Sequence, residues 1–255
     1  MKTSEEEKKE IWRKVYEFVA TLDREGFEMM NYGYGAEGVE ADAADPERFP
    51  HAMYERVVGQ VDVAGREVLE VGCGRGGGAG HVMRRFGPAR YVGVDFSARA
   101  IEICRERHGG IPGLEFECGD AENLSFADGT FDVVANVESS HCYASRPKFY
   151  AEVFRVLRPG GDFVYADFFT GRGECVDELA AAGFETVADE DITAAVLRSL
   201  ERDHERKASL FSGLPQPRRG YMENWAGLIG TPMYEAFRTR QYVYVCRHLK
   251  KPAHS

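Results

Sequence analysis

From Glu67 onward the chain alternates short apolar runs with segments of helical spacing. Runs at 67–72, 90–95, 114–118, 131–137 and 161–168 predict strands, and the intervening 79–86, 98–108 and 147–157 predict helices. A further helix is expected over 174–182, a sixth strand over 184–187 and a seventh over 241–247. Such alternation predicts an α/β fold, with a mostly parallel sheet covered by helices on both faces. Ahead of it, Ser4 with Glu7 three residues on forms a capping-box pattern. Ile11, Val15, Phe18, Val19 and Leu22 then recur at helical spacing, predicting a helix over 4–24. The Gly- and Tyr-rich stretch Phe27–Gly35 predicts a loop, 42–50 an irregular segment and 53–61 a short helix.

One stretch breaks the alternation. Residues 192–211 read as a long charged helix, followed by Pro215, Pro217, Gly220 and the aromatic patch Tyr221–Trp225. An insertion of this length between strands six and seven suits a lid over a substrate; a helical brace on the sheet edge is the plainer reading. Four regions follow: a helical segment and flap at 1–64, a Rossmann-like core at 65–191, the insertion at 192–240, and the last strand and tail at 241–255.

The segment Val68–Gly78 carries the most chemistry. An apolar run breaks into glycines and a helix follows, so a tight turn presents backbone and free helix N–H groups to a nucleotide-like ligand. Gly72, Gly74 and Gly77 fit the dinucleotide pattern, whereas Gly72, Gly74 and Gly76 equally fit an S-adenosylmethionine (SAM) pattern. Glu70, inside the strand, favours the second. Its carboxylate suits an ammonium and a sulfonium and sits badly beside a pyrophosphate. Asp95 ends the second strand 23 positions after Gly72, a spacing suited to ribose hydroxyls, though a helix cap would use it too. Asp120, after the third strand, can accept from an adenine amine or close an Asx turn. Leu157–Gly161 reads as a helix stop and turn before strand five.

Charge and cysteines narrow the partners. With 32 basic and 42 acidic residues the net charge is −10, which disfavours a polyanionic partner such as nucleic acid. The pairs Arg218–Arg219 and Arg238/Arg240 read as solvated surface. None of the six cysteines forms a C-x-x-C pair, and no His/Cys spacing suggests zinc. This usage, with no signal-peptide pattern and no apolar run long enough to span a bilayer, leads to an expectation of a cytoplasmic protein. No carboxylate cluster calls for a metal. A homo-oligomer is compatible with the sequence.

In order, VLEVGCGRGGG, YVGVDFS, CGDAENLSF, FDVVANVESSHCY and VLRPGGDFVYADFF resemble the class I SAM-dependent methyltransferases across about residues 65–170. The resemblance implies a seven-stranded sheet with the last strand antiparallel. SAM would be the cofactor and S-adenosylhomocysteine the product. Glu70, Gly72, Gly74 and Gly76 would surround the methionine portion, Asp95 the ribose, and Asp120 with Ala121 the adenine. Tyr34, Cys73, Phe96, Glu122 and Asn136 complete the cofactor set that the resemblance implies. Met30–Tyr34 ahead of the glycines and Glu138–Tyr143 behind strand four resemble an actinobacterial subgroup acting on phthiotriolone-type lipids, fatty acids and specialised metabolites. Members of that subgroup often carry a bulky aromatic where this chain has Gly35.

For the chemistry, His141 is the first candidate for a general base, since imidazole titrates near neutrality and the residue follows strand four. A hydrogen bond to a loop carbonyl is its plain alternative. Glu138 is expected to orient His141, pair with an amine or stabilise a cation, and Asp167 is a third candidate. Tyr32, Tyr143, Phe168, Tyr221 and Trp225 are expected to wall an apolar acceptor pocket, with Tyr32 and Tyr34 as a flap over the cofactor. O-methylation of a small lipid-like, polyketide or isoprenoid metabolite is the expected activity. C- or N-methylation, an NAD-dependent oxidoreductase and a non-catalytic SAM binder are the alternatives.

Overall fold

The computed structural model describes residues 4–22, 24, 26–37, 44–171 and 173–253. Parts of the expected 4–24 helix, of the 42–50 segment and of the C-terminal tail lie outside them. Seven strands form one sheet: β1 (Glu67–Val71), β2 (Arg90–Asp95), β3 (Leu114–Cys118), β4 (Phe131–Val137), β5 (Leu157–Phe169), β6 (Glu185–Asp191) and β7 (Val243–Lys250). Their order is β3-β2-β1-β4-β5-β7-β6. The first five run parallel, and β7 lies antiparallel to both β5 and β6. Order reverses between β1 and β4, which opens a crevice at the carboxyl ends of those strands.

Alternate strand residues feed two cores. Val68, Tyr91 and Val133 pack on one face against α2 (Arg48–Val58), α3 (Gly77–Phe86) and α4 (Ala98–His108). Leu69, Val92 and Val134 pack on the other against α5 (Arg146–Val156) and α6 (Val176–Ala181). The expected helices and strands are thus present, with shifted ends. The Leu157–Gly161 turn is absorbed into β5. The pairing of β4 with β5 jumps from Phe131–Leu157 to Val133–Asp162. Gly160 takes φ +77° inside that bulge and donates to Lys251 O.

A third core lies away from the sheet. It joins α1 (Glu5–Ala20), through Val15, Phe18 and Val19, to Leu210, Phe211, Met222 and Trp225 of the insertion. The expected capping box is present, with Ser4 and Glu7 exchanging hydrogen bonds at 2.8 and 3.2 Å. Ile11, placed on the buried stripe by spacing, is 54% exposed. The insertion is four helices rather than one long helix and a loop: α7 (Thr193–Arg202), α8 (His204–Phe211), α9 (Arg218–Trp225) and α10 (Pro232–Arg238). The break falls at Asp203, whose carboxylate accepts from Arg206 of α8 at 2.6 and 2.7 Å.

Candidate active site

A cleft opens over the carboxyl ends of β1, β2 and β4. Its floor is the glycine turn. Gly72 has φ +81°, and a Cβ there would stand 2.2 Å from Ser139 Oγ and 2.9 Å from Tyr143 OH. The Gly72 and Cys73 N–H groups both donate to Val94 O, which pins the turn to β2. Gly74 donates to Asp95 Oδ2 at 2.9 Å, and Ser97 N donates to Oδ1 at 2.9 Å. Burial raises the Asp95 pKa to about 6, and the backbone donors hold it down from going higher. The carboxylate is therefore ionised at neutral pH. Cys73, Gly74, Asp95, Phe96 and Ala121 all line the cleft.

Other expected cofactor residues sit elsewhere. Glu70 lies beneath the floor, fully buried, accepting from Tyr54 OH at 2.6 Å and Tyr91 OH at 3.0 Å. Burial pushes its pKa up to about 7, against the lowering effect of both phenols. Gly76 faces His108, Phe116 and Cys104 and lets α3 pack closely. Asn136 is buried below the turn. Its Nδ2 bonds Val71 O, Ser139 Oγ and Tyr143 OH, and its Oδ1 has no partner among the described residues. Tyr34 packs into the core beside the sheet and is not part of the cleft lining. Its backbone is stitched to Phe49 O, and the next residue, Gly35, donates to Ala195 O. A flap formed by Tyr34 over the cofactor therefore has no support in its placement.

Asp120 shows the local turn and something the sequence reading missed. Its Oδ1 accepts from Glu122 N at 2.9 Å, an Asx turn, while Oδ2 pairs with Lys9 Nζ at 2.7 Å. Lys9 also pairs with Glu122 at 3.1 Å, whose other oxygen accepts from the Ala144 and Ser145 N–H groups. The N-terminal helix thus crosses the cleft. Trp12 meets the His141 ring edge-on at 6.1 Å, and Tyr16 OH contacts Cys142 Sγ at 3.4 Å. Lys9, Trp12 and Tyr16 share one helix face by their i, i+3, i+7 spacing, which is the signal that could have found them.

His141 sits in the 3-10 turn Ser140–Cys142. Its Nδ1 lies 2.8 Å from Asp167 Oδ1 and its backbone N donates to Oδ2 at 3.0 Å. Asp167 is fully buried and also accepts from Ser140 Oγ at 2.6 Å and Phe168 N at 2.9 Å. These donors and the imidazole keep its pKa low in spite of burial. Burial pulls the His141 pKa down, but Cys142 and Asp167 outweigh it, and the net direction is well above the ordinary value. Glu138 sits at φ +54°, an uncommon left-handed position for a non-glycine residue. Its Oε2 accepts from Tyr32 N at 2.9 Å and Tyr244 OH at 2.8 Å. Burial raises its pKa to about 7; the Tyr32 N–H, Tyr244 and His141 oppose that rise.

Of the expected aromatic wall, Tyr32, Phe168 and Trp225 come together. The Phe168 ring lies 4.4 Å from His141 and 5.9 Å from Tyr32, and Tyr32 OH donates to Trp225 O at 3.1 Å. Tyr143 lines the floor, its OH 2.8 Å from Ser139 Oγ. Tyr221 is 47% exposed and outside the lining.

The residues present fit an adenosyl sulfonium ligand. A side chain at Gly72 would collide with the turn's own neighbours, so the backbone stays bare there. The Asp95 carboxylate stands at the cleft edge. Methyltransferase-domain proteins match residues 68–161 of the chain. A phthiotriol/phenolphthiotriol dimycocerosates methyltransferase of Mycobacterium tuberculosis is 39% identical over 233 residues, covering 88% of this chain and 86% of that protein. The chain belongs to the class I SAM-dependent methyltransferases. A fatty-acid O-methyltransferase of Mycolicibacterium smegmatis is 38% identical over 232 residues, 88% of this chain and 83% of that one. The geranyl diphosphate C-methyltransferase of Streptomyces coelicolor A3(2), solved with Mg2+, geranyl diphosphate and S-adenosylhomocysteine, shares the fold. Its TM-score is 0.72 at 19% identity, covering 96% of this chain and 97% of that one. This methyltransferase uses SAM, which excludes the dinucleotide alternative. Among the described residues, no group of three His, Cys, Asp or Glu side chains is placed to hold a metal ion, and no helix is long and apolar enough to cross a membrane.

Proposed function

We propose that this methyltransferase methylates an oxygen of a lipid-like, polyketide or isoprenoid metabolite. The His141–Asp167 pair beside an apolar wall carries the reading. SAM supplies an electrophilic methyl group to an acceptor aligned in line with it. The chain's part is to hold the cofactor on the Gly72–Gly74 turn and Asp95, and to orient the acceptor against Tyr32, Phe168 and Trp225. α1 excludes water. Nδ1 of His141 is committed to Asp167, so Nε2 is the nitrogen that meets the acceptor oxygen. Relatives named for phthiotriol and fatty-acid acceptors support a lipid-like substrate.

The raised His141 pKa favours a second reading of the acceptor, a carboxylate. A hydroxyl nucleophile must lose a proton, and a protonated imidazole does not take it. A carboxylate is already ionised above about pH 5 and needs only a cationic partner. The two acceptors give opposite pH limbs. With a hydroxyl acceptor, kcat/KM rises as His141 deprotonates. With a carboxylate acceptor it falls over the same range. In either case Asp167→Asn lowers the His141 pKa and shifts that limb toward acid, with kcat reduced about 100-fold through lost orientation and S-adenosylhomocysteine affinity unchanged. A pH profile that does not move in Asp167→Asn sinks the role given to the pair.

A further inference from the structure

A line of hydroxyls runs from the Asp167 carboxylate into the core between the sheet and α5. Ser140 Oγ lies 2.6 Å from Asp167 Oδ2 and 2.5 Å from Tyr165 OH, and Tyr165 OH lies 3.0 Å from Tyr150 OH. Ser140, Tyr150, Tyr165 and Asp167 are all fully buried. Tyr165 precedes Asp167 by two positions in β5, so both side chains leave the same face of the strand. Tyr150 comes from α5, which covers that face. Packing does not call for the phenols. Phe131, Phe149, Phe163 and Phe169 fill the same core. A phenylalanine would take the place of either tyrosine without a hydroxyl to bury.

The charge of Asp167 sets the direction of every link. An ionised carboxylate only accepts, so the single proton of Ser140 goes to Asp167. Ser140 Oγ then accepts from Tyr165, and Tyr165 from Tyr150. Each link polarises the next toward the carboxylate. Four donors meet at Asp167: Ser140 Oγ and the His141 N–H on Oδ2, and His141 Nδ1 and the Phe168 N–H on Oδ1. The carboxylate that faces His141 is therefore shared with the hydroxyl line.

We propose that Ser140, with Tyr165 behind it, is a positioning residue of the methyl transfer: the proton it donates spreads the charge of Asp167 and so limits how tightly His141 holds its own proton. The inference rests on the role given to the His141–Asp167 pair and adds what sets the pH at which that pair works. Without the Ser140 donor, more of the carboxylate charge acts on the imidazole, and the imidazolium is favoured further. The other titratable groups facing His141 are Glu138 and Cys142 on its own turn, Tyr32 and Tyr244 beside Glu138, and Tyr16 of α1 beside Cys142. All five are untouched by the substitutions at Ser140 and Tyr165.

The test follows the His141 titration by NMR in the full chain, with its histidines isotopically labelled and S-adenosylhomocysteine at saturation. A His141→Gln sample assigns the signal. Ser140→Ala moves the His141 midpoint upward by about 0.5–1 pH unit, and Tyr165→Phe moves it upward by less. Tyr165→Phe keeps the ring and Ser140, so it carries the test if Ser140→Ala folds poorly. Hydroxyls that only held Asp167 in place would give the opposite sign, because a loosened carboxylate pairs less with the imidazolium. A downward shift, or no shift in either variant, overturns the inference. Failure of the underlying reading shows separately: Asp167→Asn would then leave the His141 titration unmoved, which overturns the role of the pair and this inference with it.

Discussion

The floor and the roof of the cleft are built by different means. The floor, from Gly72 to Asp95 and on to His141, is made of strand ends and the turns that follow them. Each turn is pinned by neighbours: Gly74 by Asp95, Cys73 by Val94, and His141 by the buried Asp167. The roof is α1 with α8 and α9 of the insertion, while α7 and α10 pack into the main core. It rests on one small apolar core, on the Lys9 and Lys148 ion pairs of α1, and on the Tyr16–Cys142 contact. Rigid backbone geometry presents the cofactor site from below, and side chains of modest individual strength close it from above. Binding energy should therefore reside in the floor, and exchange rate in the roof.

The comparison breaks most visibly at Gly72. Gly72→Ala places a methyl group against Ser139 Oγ in a left-handed backbone conformation, and both effects are unfavourable. Loss of about 2–4 kcal/mol of stability and loss of detectable S-adenosylhomocysteine binding are expected. Thermal melting and calorimetry read them. A variant that melts and binds like wild type would remove the floor's claim to rigidity.

A pH-dependent effect follows beneath the floor. Glu70 has its pKa raised by burial from 4.5 to about 7. The folded state therefore holds a proton that the unfolded state has released. Stability is fully present below pH 4.5 and is lost as pH rises toward 7. Glu70→Gln, which cannot ionise, should stabilise the free protein by on the order of 1–3 kcal/mol at pH 8 and by little at pH 4. Equal differences in melting temperature at both pH values would contradict the assignment.

The smallest effect belongs to the roof. The Lys9 and Asp120 side chains are 28% and 33% exposed, so their pair is partly screened. Lys9→Met should change stability by less than about 1 kcal/mol while speeding cofactor release about threefold, as added salt should in wild type. Stopped-flow release of S-adenosylhomocysteine tests this. An unchanged release rate would mean that α1 does not gate the site.

The same contrast explains what was legible in the sequence. The strand pattern, the glycine turn and Asp95 are readable because their meaning is carried within one strand and the residues after it. His141 was legible as a candidate, but its partner Asp167, across the β4–β5 crossover, was only a weaker one. Roof contacts join positions far apart: Lys9 with Asp120, Tyr16 with Cys142, Tyr32 with Trp225. Helical spacing groups Lys9, Trp12 and Tyr16 on one face, but it does not name their distant partners. Apolar periodicity located α1, but not that Trp12 and Tyr16 face the cleft while Ile11 faces outward. Tyr34 misled for a related reason. An aromatic beside glycines in a loop suits a flap, yet Phe49 and Ala195 hold that backbone beside the core. The Asp203 break in the 192–211 helix was equally hidden.

The most direct test of a cofactor held from the floor is calorimetric titration of S-adenosylhomocysteine into wild type and Asp95→Ala. The account predicts one-to-one binding by wild type and affinity about tenfold or more weaker in the variant. No binding by wild type, or equal affinity in both, would contradict it.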